Sequence, residues 1–183
     1  ASEVVLSFEY GYNLDGLRTR VDREDGSYIL YDYDDLNRLA DEHAKNSGGT
    51  TLWRRQYSYD KVGNRTGLVK DDGAGATTYT YSYNDLGQLN SITWSEDVGC
   101  WINYTYDENG NLATKKKNRD EQVKLKEDWS YSWDTQDRLI QVVKDDRTEA
   151  NVDRRVEYKY CPSCGGALTE RIEYNATTGG TVL

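Results

Sequence analysis

The most reactive side chains of this sequence are the two cysteines of Cys161-Pro-Ser-Cys164, which two glycines follow. A Cys-x-x-Cys knuckle places two thiolates on one tight turn, as in half of a zinc ribbon. A tetrahedral zinc site needs two more ligands, and Cys100 and His43 lie far away in the sequence. Three interpretations stay open: a disulfide that closes the turn, a zinc site completed by residues from elsewhere, and two reduced thiols. We rank the disulfide and the free thiols ahead of zinc, and predict no other cofactor.

Groups suited to catalysis are scarce. His43 is the single histidine, and the sequence has no Gly-x-Ser-x-Gly elbow, no His-Glu-x-x-His motif and no phosphate-binding glycine loop before a helix. We expect His43 to be an ordinary strand or loop residue. The sequence therefore predicts a protein that is not an enzyme.

Net charge and hydropathy indicate which classes of partner the chain does not bind. The formal net charge is −9, and the one tight basic cluster, Lys115 to Lys117, is followed closely by Asp120 and Glu121. A polyanion would be repelled by such a chain, so we expect no nucleic-acid partner. No apolar run approaches the length of a membrane span, so we expect no membrane insertion.

A repeated pair of aromatic residues dominates the sequence. Two aromatic residues separated by one position recur seven times, and the second members lie 21 to 27 residues apart. The first members are Tyr10, Tyr31, Tyr57, Tyr81, Tyr104, Tyr131 and Tyr158. The second members are Tyr12, Tyr33, Tyr59, Tyr83, Tyr106, Trp133 and Tyr160. A fixed period of this length is the signature of a repeat architecture.

Each aromatic pair precedes a turn signal. Side chains alternate across a strand, so the two aromatics should share one face, which we expect to be buried. The residue that follows the pair is acidic or an amide in six repeats, namely Asn13, Asp34, Asp60, Asn84, Asp107 and Asp134. Such a side chain can accept backbone N–H groups and begin a turn, which explains these residues without a calcium or catalytic role. A glycine three residues later, at Gly16, Gly63, Gly87 and Gly110, can take the positive φ that closes the turn. The seventh repeat departs from the pattern at Cys161 and Cys164.

A second turn signal falls midway through each period, which gives two strands per repeat. These signals are Asp25-Gly26, Ser47-Gly48-Gly49, Asp72-Gly73, Asp97-Val98-Gly99, Asn118-Arg119-Asp120 and Asp145-Asp146-Arg147. The 16 tyrosines and five tryptophans, against one phenylalanine and no methionine, favour strands. We predict an all-β fold: an antiparallel meander of about a dozen strands that coils.

The segments Tyr57-Ser-Tyr-Asp-Lys-Val-Gly-Asn-Arg65 and Tyr31-Asp-Tyr-Asp-Asp-Leu-Asn-Arg-Leu39 resemble the YD repeats of the Rhs family. That family includes bacterial Rhs toxins, wall-associated proteins, shell components of toxin complexes and teneurins. The resemblance covers essentially the whole chain, residues 1–183, as a single array of about seven repeats. It implies an open segment of a spiral β-shell, an internal fragment of a much longer protein.

Two functions follow as hypotheses. The resemblance implies a non-catalytic structural module of a secreted or cell-surface protein, whose shell encloses or displays a toxin or effector domain. Its partners would be the remaining repeats and that domain, with a homodimer through exposed strand edges as a further expectation. The alternative is an extracellular module that binds carbohydrate or a cell surface through exposed tyrosine and tryptophan, with Trp53, Trp94, Trp101 and Trp129 as candidates.

Overall fold

The computed structural model describes residues 7–95, 99–119, 125–146 and 153–176. These residues form 14 strands, and no helix occurs among them. The strands are β1 Phe8–Tyr12, β2 Arg18–Arg23, β3 Tyr28–Tyr33, β4 Leu39–Lys45, β5 Thr51–Tyr59, β6 Arg65–Asp71, β7 Ala76–Tyr83, β8 Leu89–Trp94, β9 Trp101–Tyr106, β10 Leu112–Arg119, β11 Leu125–Trp133, β12 Leu139–Asp146, β13 Asp153–Tyr160 and β14 Leu168–Ala176.

The strands form one open antiparallel sheet in which the spatial order follows the chain from β1 to β14. The predicted all-β meander of about a dozen strands is therefore confirmed. Coiling of the sheet stays a prediction. Within the described residues, no helix is long and apolar enough to cross a membrane.

The chain divides into two compact units, residues 1–81 and residues 82–183, with the boundary inside β7. In the first unit, Val21 opposes Ile29, Ile29 opposes Ala44, and Ala44 opposes Trp53. Val21, Ile29 and Ala44 are three of the four hydrophobic residues that are buried in the described part of the chain. In the second unit, Cys100 is buried just before β9. Among the described residues, each unit therefore buries few hydrophobic side chains.

We call the side that carries the Tyr-x-Tyr pairs the aromatic face. Its motif side chains are half-buried in β3, β5, β7, β9, β11 and β13, whereas Tyr10 and Tyr12 of β1 are exposed. The aromatic face is therefore less buried than the sequence predicts. The physical reason is that all described strands belong to one sheet, so no second sheet packs on this face. Residues between the aromatics, such as Ser58 and Thr105, point to the opposite face and are exposed.

A short loop follows each aromatic pair, and the strand register shifts beside it. Tyr33 opposes Leu39 directly after a shift in the pairing of β3 with β4, and Trp133 opposes Leu139 in the same way in β11 and β12. A hairpin with a three-residue loop, closed by a residue of positive φ, produces this kind of bulge. In these hairpins the motif turn therefore adds one unpaired residue to the return strand.

Two of the midway turn predictions are wrong. Asn118 lies inside β10, opposite Trp101, and Asp145 lies inside β12, opposite Asp128. The strands of the later repeats run to eight or nine residues, so cross-strand pairing extends through positions whose residue types favour turns. Asp25-Gly26, Gly48-Gly49 and Asp72-Gly73 do lie in turns, and residues 96–98, 120 and 147 lie outside the described residues.

The midway turn at Asn46 allows a test of backbone geometry, because two adjacent glycines differ in φ. Gly49 has φ +83°, a conformation that L side chains rarely adopt, whereas Gly48 does not have a positive φ. We expect Gly49→Ala to lower the free energy of unfolding by about 1 to 2 kcal/mol. Gly48→Ala, the matched control, should be neutral or slightly stabilising. Urea denaturation measures both, and equal effects of the two substitutions would contradict the turn geometry.

Candidate functional site: the aromatic ladder and its turns

The residue after each aromatic pair caps its own turn. In all six regular repeats, a side-chain oxygen of this residue accepts the backbone N–H groups two and four positions later. For Asp34, these are the N–H groups of Leu36 at 3.0 Å and Arg38 at 2.9 Å. The predicted turn role of these residues therefore has a specific geometry, and asparagine supplies it as well as aspartate.

The residue three positions after the cap has a positive φ in every regular repeat. The predicted glycines Gly16, Gly63, Gly87 and Gly110 have φ values between 74° and 99°. Asn37 and Asp137 occupy the equivalent places with φ values of 60° and 57°. Asparagine and aspartate enter the left-handed region more readily than most residues other than glycine. This tolerance explains why two repeats lack the glycine.

The second aromatic of a repeat joins it to the preceding repeat. Tyr33 Oη donates to the carbonyl of Arg18, and Tyr59 Oη donates to the carbonyl of Leu39, both at 2.8 Å. In the second unit, the same bond at 2.8 Å joins Tyr106 to Leu89, Trp133 Nε1 to Leu112, and Tyr160 to Leu139. The acceptor is always the first residue of the return strand in the preceding repeat. We call this series of hydrogen bonds the aromatic ladder.

The ladder explains a restriction in the sequence. The second aromatic is Tyr or Trp in all seven repeats and is never Phe. Both Tyr and Trp carry a donor at the tip of the ring, whereas Phe has none. The sequence pattern predicted only that these residues share a buried face. Their shared donor was the signal that could have identified the ladder.

Arginine side chains cover several of the tyrosine rings. The guanidinium carbon of Arg38 lies 4.6 Å from the ring centroid of Tyr59, and that of Arg138 lies 4.6 Å from Tyr160. Arg18 lies 5.0 Å from Tyr31, and Arg65 lies 4.5 Å from Tyr81. These distances fit cation–π contacts.

Arg38 also connects successive turns. Its Nε donates to Asp34 Oδ2 at 2.7 Å, and its Nη1 donates to the carbonyl of Asp60 in the next turn at 3.0 Å. In the second unit, Gln88 Nε2 donates to the carbonyl of Gly110 at 3.1 Å, and Asn111 Nδ2 donates to Asp137 Oδ1 at 2.7 Å. The residue that follows the turn, namely Arg38, Gln88 or Asn111, is thus a linking residue. The sequence pattern did not predict this role.

Hydrogen bonding lowers the pKa of two capping aspartates, Asp34 and Asp134. The backbone and side-chain N–H groups of Arg38 hold the pKa of Asp34 below its ordinary value. The side chain and backbone of Arg138 have the same effect on the pKa of Asp134. These carboxylates are therefore stabilised as anions in the folded state.

His43 lies in a polar cluster on the face opposite the aromatic pairs. Its Nδ1 is 3.1 Å from Asp41 Oδ1, and Arg54 Nε donates to Asp41 Oδ2 at 2.8 Å. Burial by itself raises the pKa of Asp41, but the hydrogen bonds from Arg54 and His43 outweigh it and leave the pKa lowered. Asp41 is thus a buried carboxylate with both oxygens paired, and His43 is a strand residue, as predicted.

Cys161 and Cys164 form a disulfide that closes the seventh turn. Cys161 takes the place of the capping residue, and its N–H donates to the carbonyl of Ala167 rather than to a residue four positions later. Zinc binding would require both sulfurs as thiolates and stays a prediction for the reduced protein. Among the described residues, no group of three or more His, Cys, Asp or Glu could complete such a site. Cys100 is a free, buried thiol.

The ladder bond can be tested with substitutions that remove the donor. Tyr59→Phe removes only the hydroxyl, whereas Trp133→Phe also removes part of the ring system. We expect Tyr59→Phe and Trp133→Phe each to lower the free energy of unfolding by about 1 kcal/mol, because each leaves a carbonyl without its partner. Trp133→Tyr should lose less, since it keeps a donor. Tyr10→Phe is the matched control, because Tyr10 is exposed and its hydroxyl makes no hydrogen bond to a described residue. Equal losses for Tyr59→Phe and Tyr10→Phe would refute the ladder.

The lowered pKa of Asp34 gives a prediction for pH. A carboxyl group with a depressed folded pKa stabilises the fold above its unfolded pKa, and that contribution is lost as pH falls through the folded value. The melting temperature should therefore fall as pH decreases below about 4. Asp34→Asn keeps the capping oxygen but cannot titrate, so its melting temperature should depend less on acid. Asp15→Asn, in an exposed turn, serves as the control, and an unchanged acid dependence in Asp34→Asn would contradict the prediction.

Comparison with known proteins supports the fold. No protein-family model matches the chain, and no curated protein matches it. A structure of TcdB2-TccC3 is 18% identical with a TM-score of 0.58, and the match covers 96% of this chain and 12% of that chain. A structure of TcdB2-TccC3-Cdc42 is 18% identical with a TM-score of 0.57, covering 96% and 11%. A Tc holotoxin pore of Photorhabdus luminescens with a TccC3 mutation is 18% identical with a TM-score of 0.57, covering 87% and 11%. The chain thus spans about a ninth of these solved chains and shares their fold.

Proposed function

We propose that this chain is a non-catalytic wall segment of a YD-repeat shell, and that the shell encloses or displays a toxin or effector domain in a secreted or cell-surface bacterial protein. Its partners are the remaining repeats of the parent protein and the domain inside. No cofactor takes part in this function.

The observation that carries the proposal is that the repeated residues are used by the architecture. The first residue after the aromatic pair caps a turn, and the second aromatic bonds to the preceding repeat. The residue after the turn, such as Arg38 or Gln88, links that turn to the next one. A residue needed at the same place in every repeat serves the geometry of every repeat. The motif therefore leaves few groups available for chemistry.

The structural neighbours support the same proposal. The solved proteins that share the fold are toxin complexes, and the matched part is a small fraction of each. Such a match suits a wall that is assembled from many similar repeats, of which this chain supplies about seven. At 18% identity, the likeness supports the fold directly and the toxin-associated role by analogy.

The alternative, a module that binds carbohydrate, needs open aromatic rings. The tryptophans Trp53, Trp94, Trp101 and Trp129 are half-buried. Guanidinium groups lie against the rings of Tyr31, Tyr59 and Tyr81. These contacts occupy ring faces on which a sugar would stack, so they favour the wall over the binding module.

Limited proteolysis of the longest natural polypeptide that carries this segment tests the proposal. A shell should protect the domain that it encloses, and weakening the wall should end that protection. We expect the enclosed domain to resist trypsin in the parent protein and to be cut much faster in the double variant Tyr59→Phe, Trp133→Phe.

The matched control is Tyr10→Phe, which should leave the protection intact. Equal digestion rates of the neighbouring domain in the parent protein, the double variant and the control would contradict the shell proposal. Specific hits on a glycan array, lost in Trp53→Ala or Trp101→Ala, would instead support the binding module.

A further inference from the structure

The seventh turn is held by a disulfide, whereas an oxygen of the capping residue holds each of the six regular turns. Cys161 stands at the capping position, and its side chain has no oxygen that could accept the N–H groups of the turn. Its bond to Cys164 takes the place of the cap. We propose that this disulfide is a thiol–disulfide exchange site, at which a small-molecule thiol reduces the bond and releases the turn. This inference does not rest on the proposed function.

The seventh turn is longer than the regular turns and richer in glycine. In the sixth turn, the N–H of Asp137 donates to the carbonyl of Asp134, three residues earlier. In the seventh turn, the N–H of Gly166 donates to the carbonyl of Cys161, five residues earlier. Gly165 and Gly166 both have a positive φ, at 69° and 79°. Because glycine loses more conformational freedom on folding than any other residue, this longer turn depends on the disulfide to stay closed.

Cys164 is the accessible half of the disulfide. Cys164 is exposed, whereas Cys161 is half-buried. Turn tips that a further repeat follows are exposed as well, as at Asp85 and Glu108. The exposure of Cys164 therefore follows from its place at the tip of a turn. Exposed disulfides are the ones that thiols reduce most readily.

Ser163 supplies a hydrogen-bond donor for the sulfur that leaves. Its Oγ lies 3.4 Å from Cys161 Sγ and 4.0 Å from Cys164 Sγ. A disulfide sulfur carries no proton, so the serine hydroxyl is the donor. The hydroxyl is closer to Cys161 and stabilises that sulfur when it gains negative charge. Exposure and hydrogen bonding therefore select the same direction, with attack at Cys164 and departure of Cys161.

The exchange takes place in two steps. A thiolate of the reductant attacks Cys164 Sγ and forms a mixed disulfide, while the protein disulfide breaks and Cys161 leaves with the bonding electron pair. A second reductant thiolate attacks the reductant sulfur of the mixed disulfide, and Cys164 leaves as a thiolate. Both protein thiolates take up a proton from solvent. Two small-molecule thiols are thus oxidised to one disulfide, and the protein disulfide is reduced to two thiols.

Reduced glutathione is the probe for the site of attack. The full chain is treated with an excess, quenched at short times with N-ethylmaleimide and digested with trypsin, which leaves both cysteines in the peptide 160–171. Fragmentation of this peptide in a mass spectrometer distinguishes the two. We expect glutathione on Cys164 at least about three times as often as on Cys161. An excess on Cys161, or a disulfide that stays intact in glutathione, would overturn the proposal.

The hydroxyl of Ser163 is tested by the rate of reduction. Ser163→Ala removes the donor and should lower the rate roughly threefold. Ser163→Thr is the matched control, because it keeps a hydroxyl, and its rate should stay within about twofold of wild type. The same rate in wild type and both variants would overturn the direction of attack that the hydroxyl selects.

Amide hydrogen exchange, followed by NMR before and after full reduction with dithiothreitol, tests the release of the turn. We expect exchange of the Cys161 and Gly166 N–H groups, which donate within the seventh turn, to accelerate at least about tenfold on reduction. The N–H groups of Asp134 and Asp137 occupy the same places in the sixth turn. Their exchange should change by less than about twofold, because Asp134 caps that turn.

The control for the reductant is the double variant Cys161→Ala, Cys164→Ala, in which dithiothreitol should leave all four exchange rates unchanged. A change in this variant would show that the reductant acts outside the disulfide and would overturn the proposal. Equal exchange of the Gly166 N–H in the oxidised and reduced wild-type protein would overturn it as well.

Discussion

The structure depends on one hydrogen bond that is repeated along the sheet: the tip of the second aromatic donates to a main-chain carbonyl of the preceding repeat. Tyr33, Tyr59, Tyr106, Trp133 and Tyr160 all make it at the same 2.8 Å distance. Because few hydrophobic side chains are buried, this bond and the backbone pairing hold neighbouring repeats in register. The aromatic ring supplies apolar contact area. The polar group at its tip donates the hydrogen bond toward the preceding repeat.

The fold could be predicted from the sequence because the residues that indicate each strand and turn lie close together in the chain. The spacing of the aromatic pairs, the Asp or Asn after each pair and the following glycine together predicted a two-strand repeat, and each of these features has a local contact in the structure. The residue with positive φ that closes each turn could be predicted only in part. Gly63 could be predicted from its freedom in φ, whereas Asn37 and Asp137 adopt the same conformation without a glycine signal. A cap followed three positions later by Gly, Asn or Asp describes the turn better than glycine alone.

The parts that could not be predicted depend on contacts between repeats. Arg38 reads in sequence as the start of a strand, but it contacts Asp34, Asp60 and the ring of Tyr59, which lies 21 positions away. The degree of burial was also misjudged, because the sequence pattern shows which side chains share a face but not whether anything covers that face. The ends of the later strands were missed for a related reason, since cross-strand pairing overrode turn-forming residues at Asn118 and Asp145.

The ladder acceptor is a backbone carbonyl, and every amino acid has one. Arg18 fills this position in one repeat and leucine in four others, with the same bond in each. The gene therefore does not need to preserve a partner side chain when a repeat is duplicated, deleted or recombined with another. The number of repeats can therefore change without loss of this bond, since any copy that keeps a Tyr or Trp donor can make it with the backbone of the copy before it.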